Sequence, residues 1–140
     1  MLVHATTVDI AGLGVLILGE SGAGKSDLAL RLIADGALLI ADDQTEVEVA
    51  GDGLRATAPK PIAGLIEVRG VGVVHAPTKR ATRLRLAVSL IVTVPARMPE
   101  SRTWSLPGKV KPLIPLIELG AFEASAAEKV RRALTAVPDA

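Results

Sequence analysis

Eight consecutive residues, Gly19-Glu20-Ser21-Gly22-Ala23-Gly24-Lys25-Ser26, fit the pattern G-x-x-x-x-G-K-[ST] at every defined position. The chemistry that this spacing serves is the holding of phosphate. Glycines let the backbone bend so that successive N–H groups point inward at phosphate oxygens. A helix starting at the end of the loop adds the partial positive charge of its N-terminus. In such a loop Lys25 reaches the β- and γ-phosphates, and the Ser26 hydroxyl coordinates Mg²⁺. A lysine placed by chance in a glycine-rich turn would lack the flanks found here. An apolar run, Val15–Leu18, precedes the loop, and a helical pattern follows it. Binding of a nucleoside triphosphate, with residues 19–26 as its contacts, is the expectation.

Carboxylates come next. Asp42 and Asp43 close an apolar run, Leu38–Ala41, in the manner of a Walker-B element that holds Mg²⁺ directly or through water. Adjacent strand residues point to opposite faces, so the two serve different ends. One suits metal or structure and the other faces the γ-phosphate as a base. A solvated strand end with a turn-forming Asp is the plainer alternative. Glu67 stands alone in the run Gly64-Leu65-Ile66-Glu67-Val68-Arg69-Gly70. A buried carboxylate needs a partner, and either Arg69 or a metal ion would serve. His4 and His75 are isolated, and neither forms a Ser/His/Asp set or an H-E-x-x-H spacing.

These residues need elements to position them. Val8–Ile10 and Val15–Leu18 read as strands joined by a tight turn at Gly12-Leu13-Gly14. Leu28, Leu30, Leu32 and Ile33 give a broad helical stripe over Lys25–Ala34, with Gly36 as its stop. Leu38–Ala41 is a buried strand. Val47 and Val49 alternate with Glu46 and Glu48, and Asp52-Gly53 suits a hairpin turn. Leu65–Val68 and Val71–Val74 flank Arg69-Gly70. Leu84, Leu86, Val88, Leu90 and Val92 alternate strictly, which predicts one long strand. Ser125 and Glu128 have capping-box spacing ahead of a last helix that stops before Pro138. Two helices against about eight strands argue against a doubly wound sheet, which alternates the two throughout. The expected fold is α/β of an α+β-like kind: a mixed, largely antiparallel sheet with few helices and a phosphate loop at one strand–helix junction.

Composition bounds the rest. The 140 residues, 49% of them apolar, suit a single domain spanning 1–140. Sixteen basic against fifteen acidic side chains leave a net charge of +1, which gives no basic surface for nucleic acid. Residues 1–70 carry 5 basic and 10 acidic side chains, whereas residues 71–140 carry 11 and 5. Either chance or an acidic catalytic region facing a basic phosphate-handling region explains that split. Without cysteine there is no disulfide and no thiolate chemistry. No run approaches the roughly 18 apolar residues of a membrane helix, and the N-terminus has no signal-like basic region. A soluble cytoplasmic protein with no membrane partner is expected.

The residues then resemble one family. His4-Ala5 ahead of Val8-Asp9, Gly12-Leu13-Gly14-Val15-Leu16-Ile17, the loop Gly19 to Ser26, Ile40-Ala41-Asp42-Asp43 and Leu65-Ile66-Glu67-Val68-Arg69-Gly70-Val71-Gly72 resemble, in order and spacing, the bacterial HPr kinase/phosphorylases. The resemblance implies a fold similar to the nucleotide-binding fold of phosphoenolpyruvate carboxykinase. It also implies transfer of the γ-phosphoryl of ATP to a serine of the phosphocarrier HPr, with Mg²⁺. In many members the reverse phosphorolysis releases pyrophosphate. Asp43 then matches the family's base, Ser26 and Glu67 match its magnesium positions, and Asp42 sits beside them as a further metal candidate. Lys25 and His4 match active-site positions. The family's catalytic arginine corresponds to Arg97, with Arg102 as the alternative. Members are commonly hexamers, so a homo-oligomer is implied. The chain starts almost directly at the catalytic domain, like short forms without the N-terminal domain. The loop linked to dephosphorylation, of type V-R-P-G-R-N, here reads Ser105-Leu106-Pro107-Gly108-Lys109-Val110. Lysine keeps charge but loses the bidentate fork of arginine, so kinase activity with weak or absent phosphorylase activity is expected. The alternatives are a nucleotide-binding regulatory module without transfer, and a small-molecule kinase.

Overall fold

Strand pairing follows the apolar runs, but not in chain order. A computed structural model describes residues 1–137. Its elements are β1 (Leu2–Val3), β2 (Ala5–Ile10), β3 (Leu13–Leu18), α1 (Lys25–Ala34), β4 (Leu38–Ala41), β5 (Thr45–Ala50), β6 (Gly53–Thr57), β7 (Leu65–Val68), β8 (Gly72–His75), β9 (Ala81–Leu90), β10 (Arg102–Trp104), β11 (Ile114–Leu119) and α2 (Ala126–Thr135). One nine-stranded sheet runs β1-β5-β6-β9-β3-β2-β4, with β11 also on β9 and β10 on β11, while β7 and β8 form a separate hairpin. Only β3–β9 and β9–β11 pair in parallel. The other pairings are antiparallel. This is the mixed, mainly antiparallel sheet with two helices that the element count predicted. No helix among the described residues is long and apolar enough to cross a membrane.

The sheet buries both faces, because successive strand residues point to opposite sides. Val15 and Ile17 join Leu28, Leu32, Val88, Val130 and Leu134 under the two helices. Leu16 joins Ala5, Ile40, Leu54, Leu84 and Leu106 on the other side. Three predicted details change. Gly14 pairs with Leu84 but Val15 pairs with Leu86, so Arg85 is an extra residue in β9. That bulge sends Leu84 and Leu86 to opposite faces, which unbroken alternation would forbid. The strand also ends at Leu90, leaving Val92 98% exposed. The first hairpin turns at Ala11-Gly12, both at positive φ (52° and 90°), the backbone of a type I′ turn.

α1 stops where expected. Gly36 takes φ 107°, and its N–H and that of Ala37 bond back to the carbonyls of Ile33 and Leu32, the Schellman pattern. Leu30, however, leaves the buried stripe and is 36% exposed. α2 starts after Ser125 without a side-chain cap bond, so the capping box does not form. Glu128 instead pairs with Arg131 and Arg132. α2 ends at Thr135, and Pro138 lies outside the described residues.

Candidate functional site

The Gly19–Ser26 loop leaves the buried strand β3 and runs straight into α1. Gly22 and Gly24 take φ 83° and 101°, conformations that favour glycine. Gly24 is constrained twice over, since a Cβ there would lie 2.6 Å from the Ala121 Cβ. The first N–H groups of α1 have no intrahelical carbonyl to bond, and Gly24, Lys25 and Ser26 at that start border the cavity described below. Lys25 is 5% exposed. Its Nζ donates to the carbonyls of Gly19 at 2.8 Å and Glu20 at 3.2 Å, and lies 3.7 Å from Asp43 Oδ1. A caged ammonium and free amides at a helix start can together receive a polyanion.

β4 delivers the two aspartates through a bulge. Thr7 pairs with Ala41 but Val8 with Leu39, so Ile40 is the extra residue just before them. Asp42 turns inward. Its Oδ1 accepts from Ser26 Oγ at 2.5 Å and Thr6 Oγ1 at 3.0 Å, and its Oδ2 accepts the Glu67 N–H at 2.9 Å. Asp43 turns outward, at φ 66°. The Gln44 N–H bonds the Asp42 carbonyl at 2.7 Å, closing a γ-turn around Asp43 in its rare positive-φ form. Thr6 Oγ1 accepts the Asp43 N–H at 3.0 Å and so braces that turn. The Asp43 carboxylate lies 2.7 Å from His4 Nε2.

The hairpin β7–β8 supplies the facing wall. Glu67 is exposed, so burial demands no partner for it, and it makes no ion pair with Arg69 among the described residues. Arg69 reaches over the loop, its Nη2 about 4.0 Å from where a Cβ on Gly22 would sit. Between these elements lies a cavity of about 400 Å³, lined by loop residues with Ser26, Asp43 and Glu67, and by Leu30, Val68, Arg69 and Phe122. The structure therefore gathers Lys25, Ser26, Asp43 and Glu67 around one space, with His4 behind Asp43. Asp42, expected among the metal ligands, does not line it, and both its oxygens are already hydrogen-bonded. Its Oδ1 holds the Ser26 hydroxyl at the edge of the cavity.

Neither arginine expected at the site reaches it. Arg97 is exposed in the irregular segment after β9 and does not line the cavity. Arg102 sits on β10, paired with Glu118 at 3.0 Å. Arg69 is the arginine that the fold brings in, and its position just after Glu67 was the signal available in sequence. His75 lies exposed at the end of β8, off the cavity. Phe122 had no sequence signal, because only the β11–α2 connection carries it to the loop.

No three His, Asp or Glu side chains cluster as a metal cage among the described residues. Ser26 and Glu67 nevertheless border the same cavity, and Mg²⁺ needs only one or two protein ligands when phosphates and water supply the rest. The donor set fits that ion.

Fold and cavity define the class first: a mixed α/β domain with its site at a strand–loop–helix junction. Among protein families, residues 1–102 match the HPr serine kinase C-terminal domain. The chain belongs to that family. It is 45% identical over 95 residues to the HPr kinase/phosphorylase of an Exiguobacterium strain, covering 65% of this chain and 30% of that protein. It is 43% identical over 97 residues to the HPr kinase/phosphorylase of Bordetella pertussis, covering 64% and 32%. The chain thus spans about 30% of the length of such relatives. The structure of the Hpr(Ser) kinase/phosphatase from Coxiella burnetii superposes with a TM-score of 0.78 at 26% identity, covering 96% of this chain and 88% of that one.

Proposed function

We propose that this domain is an ATP-dependent serine kinase acting on an HPr-type phosphocarrier. The observation that carries this reading is the convergence of Lys25, Ser26, Glu67 and the braced pair Asp43–His4 on one cavity at the N-terminus of α1. The relatives' names supply the substrate class. Loop amides and Lys25 hold the β- and γ-phosphates. Bound Mg²⁺, held by Ser26 and Glu67, would neutralise charge building on the phosphates. Asp43 accepts the proton of the serine hydroxyl as its oxygen bonds to the γ-phosphorus and the bond to the β-phosphate oxygen breaks, releasing ADP. His4 orients that carboxylate, and Arg69 adds positive charge over the loop. Positioning and charge neutralisation suffice for such a transfer.

Transfer of label from γ-labelled ATP to purified HPr tests the reading. Wild type should label an HPr serine, and Asp43→Asn should abolish labelling while ATP still binds. A second reading, a nucleotide-responsive module without transfer, draws on the absence of Arg97 and Arg102 from the cavity. ATP binding with no label transferred by either protein would establish it.

The reverse reaction should be weak. Leu106, where the family carries an arginine, is 5% exposed in the second apolar cluster, so it offers no charge to phosphate. Incubating phospho-HPr with inorganic phosphate should release little pyrophosphate. Release at a rate similar to the kinase reaction would refute this part.

A further inference from the structure

The cavity has a chemically mixed lining. Lys25, Ser26 and the loop amides form its polar part. Leu30, 36% exposed, and Phe122, 70% exposed, add apolar surface to the same lining. A phenyl ring left this open in water is ordinary on a loose loop, but this loop is held. Arg31 of α1 donates to the carbonyls of Ala121 and Glu123, on either side of Phe122. Glu123 is fixed in turn by Lys129 at 2.6 Å, a hydrogen bond that holds its carboxyl below the ordinary range. The ring rests on Gly24, where a Cβ would meet its Cζ at 3.0 Å.

The geometry matches a nucleotide. Leu30 lies four positions after Ser26, about 6 Å along a helix. Phe122 lies against Gly24 at the start of α1 and Leu30 one turn further on, so both side chains border the space beside the phosphate loop. Asp27, the carboxylate of α1 that lines the cavity, is already paired with Arg31 at 3.0 Å. Arg69, which lines the same cavity, reaches over Gly22 of the phosphate loop.

We propose that Phe122, with Leu30 beside it, is the platform on which the heterocyclic base of the bound nucleoside triphosphate stacks, so that the site selects by ring area and not by base edge. This rests on the nucleotide-binding reading above. Stacking tolerates any base because each has a π-face, and it grows with ring size. Purine triphosphates should therefore bind alike, and ahead of pyrimidine ones.

The test is calorimetric titration, with Mg²⁺ present, of ATP, GTP, UTP and inorganic tripolyphosphate into wild type, Phe122→Ala and Phe122→Trp. Phe122→Ala should weaken ATP and GTP roughly 5- to 150-fold, the range for losing one base–aromatic stack. Tripolyphosphate affinity should stay unchanged, and Phe122→Trp should retain ATP affinity. An alanine variant that binds ATP like wild type, or that loses ATP and tripolyphosphate equally, overturns the proposal while leaving the phosphate site in place. Wild type binding neither ATP nor tripolyphosphate would overturn both readings together.

Discussion

At Asp9 a carboxylate that is 2% exposed accepts from Thr82 Oγ1 at 2.7 Å, Lys79 Nζ at 3.0 Å and the Gly12 N–H at 2.9 Å. Burial alone would raise its pKa, but the three hydrogen bonds and the Lys79 charge outweigh burial and hold it below the ordinary value. A depressed folded pKa gives stability that is complete above the unfolded value, near 3.9, and lost as pH falls through the folded one. Asp9→Asn should cost about 1–3 kcal/mol in urea unfolding at pH 7. The gap to wild type should narrow below about pH 4, as the wild-type carboxylate protonates. In sequence, Asp9 is one polar residue in a strand. Its partners Lys79 and Thr82 lie some seventy positions away, so no local pattern announces them.

The hairpin joining β2 and β3 places a non-glycine residue, Ala11, at φ 52°. Left-handed backbone costs an ordinary L-residue roughly 1–2 kcal/mol, whereas Asn-Gly is the preferred pair for a type I′ turn. Ala11→Asn should raise stability by about 0.5–1 kcal/mol, seen as a higher urea midpoint at unchanged slope. Elements with a local cause were legible. The loop, its flanking strand and α1 rest on glycine placement and helical spacing within a few residues of one another. The bulges at Ile40 and Arg85 were not, because each answers to a partner strand. They decide which way Asp42, Asp43, Leu84 and Leu86 face.

Across the whole molecule, Asp42 joins three elements: α1 through Ser26, β2 through Thr6 and the β7–β8 hairpin through the Glu67 amide. Asp42→Ala strands three donors, so it should cost on the order of 3 kcal/mol. The Glu67 amide should then exchange its hydrogen faster. Unchanged exchange would place the hairpin's anchorage elsewhere. Most of the candidate site was visible in sequence because its residues sit on strand ends and one helix start. Arg69 was read only as a possible partner of Glu67, and Phe122 was missed because tertiary packing alone brings it to the cavity. Arg97, in the irregular segment after β9, does not line the cavity.

The strand that carries the loop, β3, pairs along one edge with β2 and along the other with β9, where Leu18 meets Ser89. The first edge forms between neighbours in the chain, the second across about seventy residues. During synthesis, residues 1–80 emerge with one edge of β3 unpaired and with both apolar clusters lacking the members that β9 and later elements supply. Closure of so distant a pairing is slow compared with hairpin formation. The site is therefore a late product of folding, completed after β9 docks, and the interval before docking is when this chain is most exposed to aggregation.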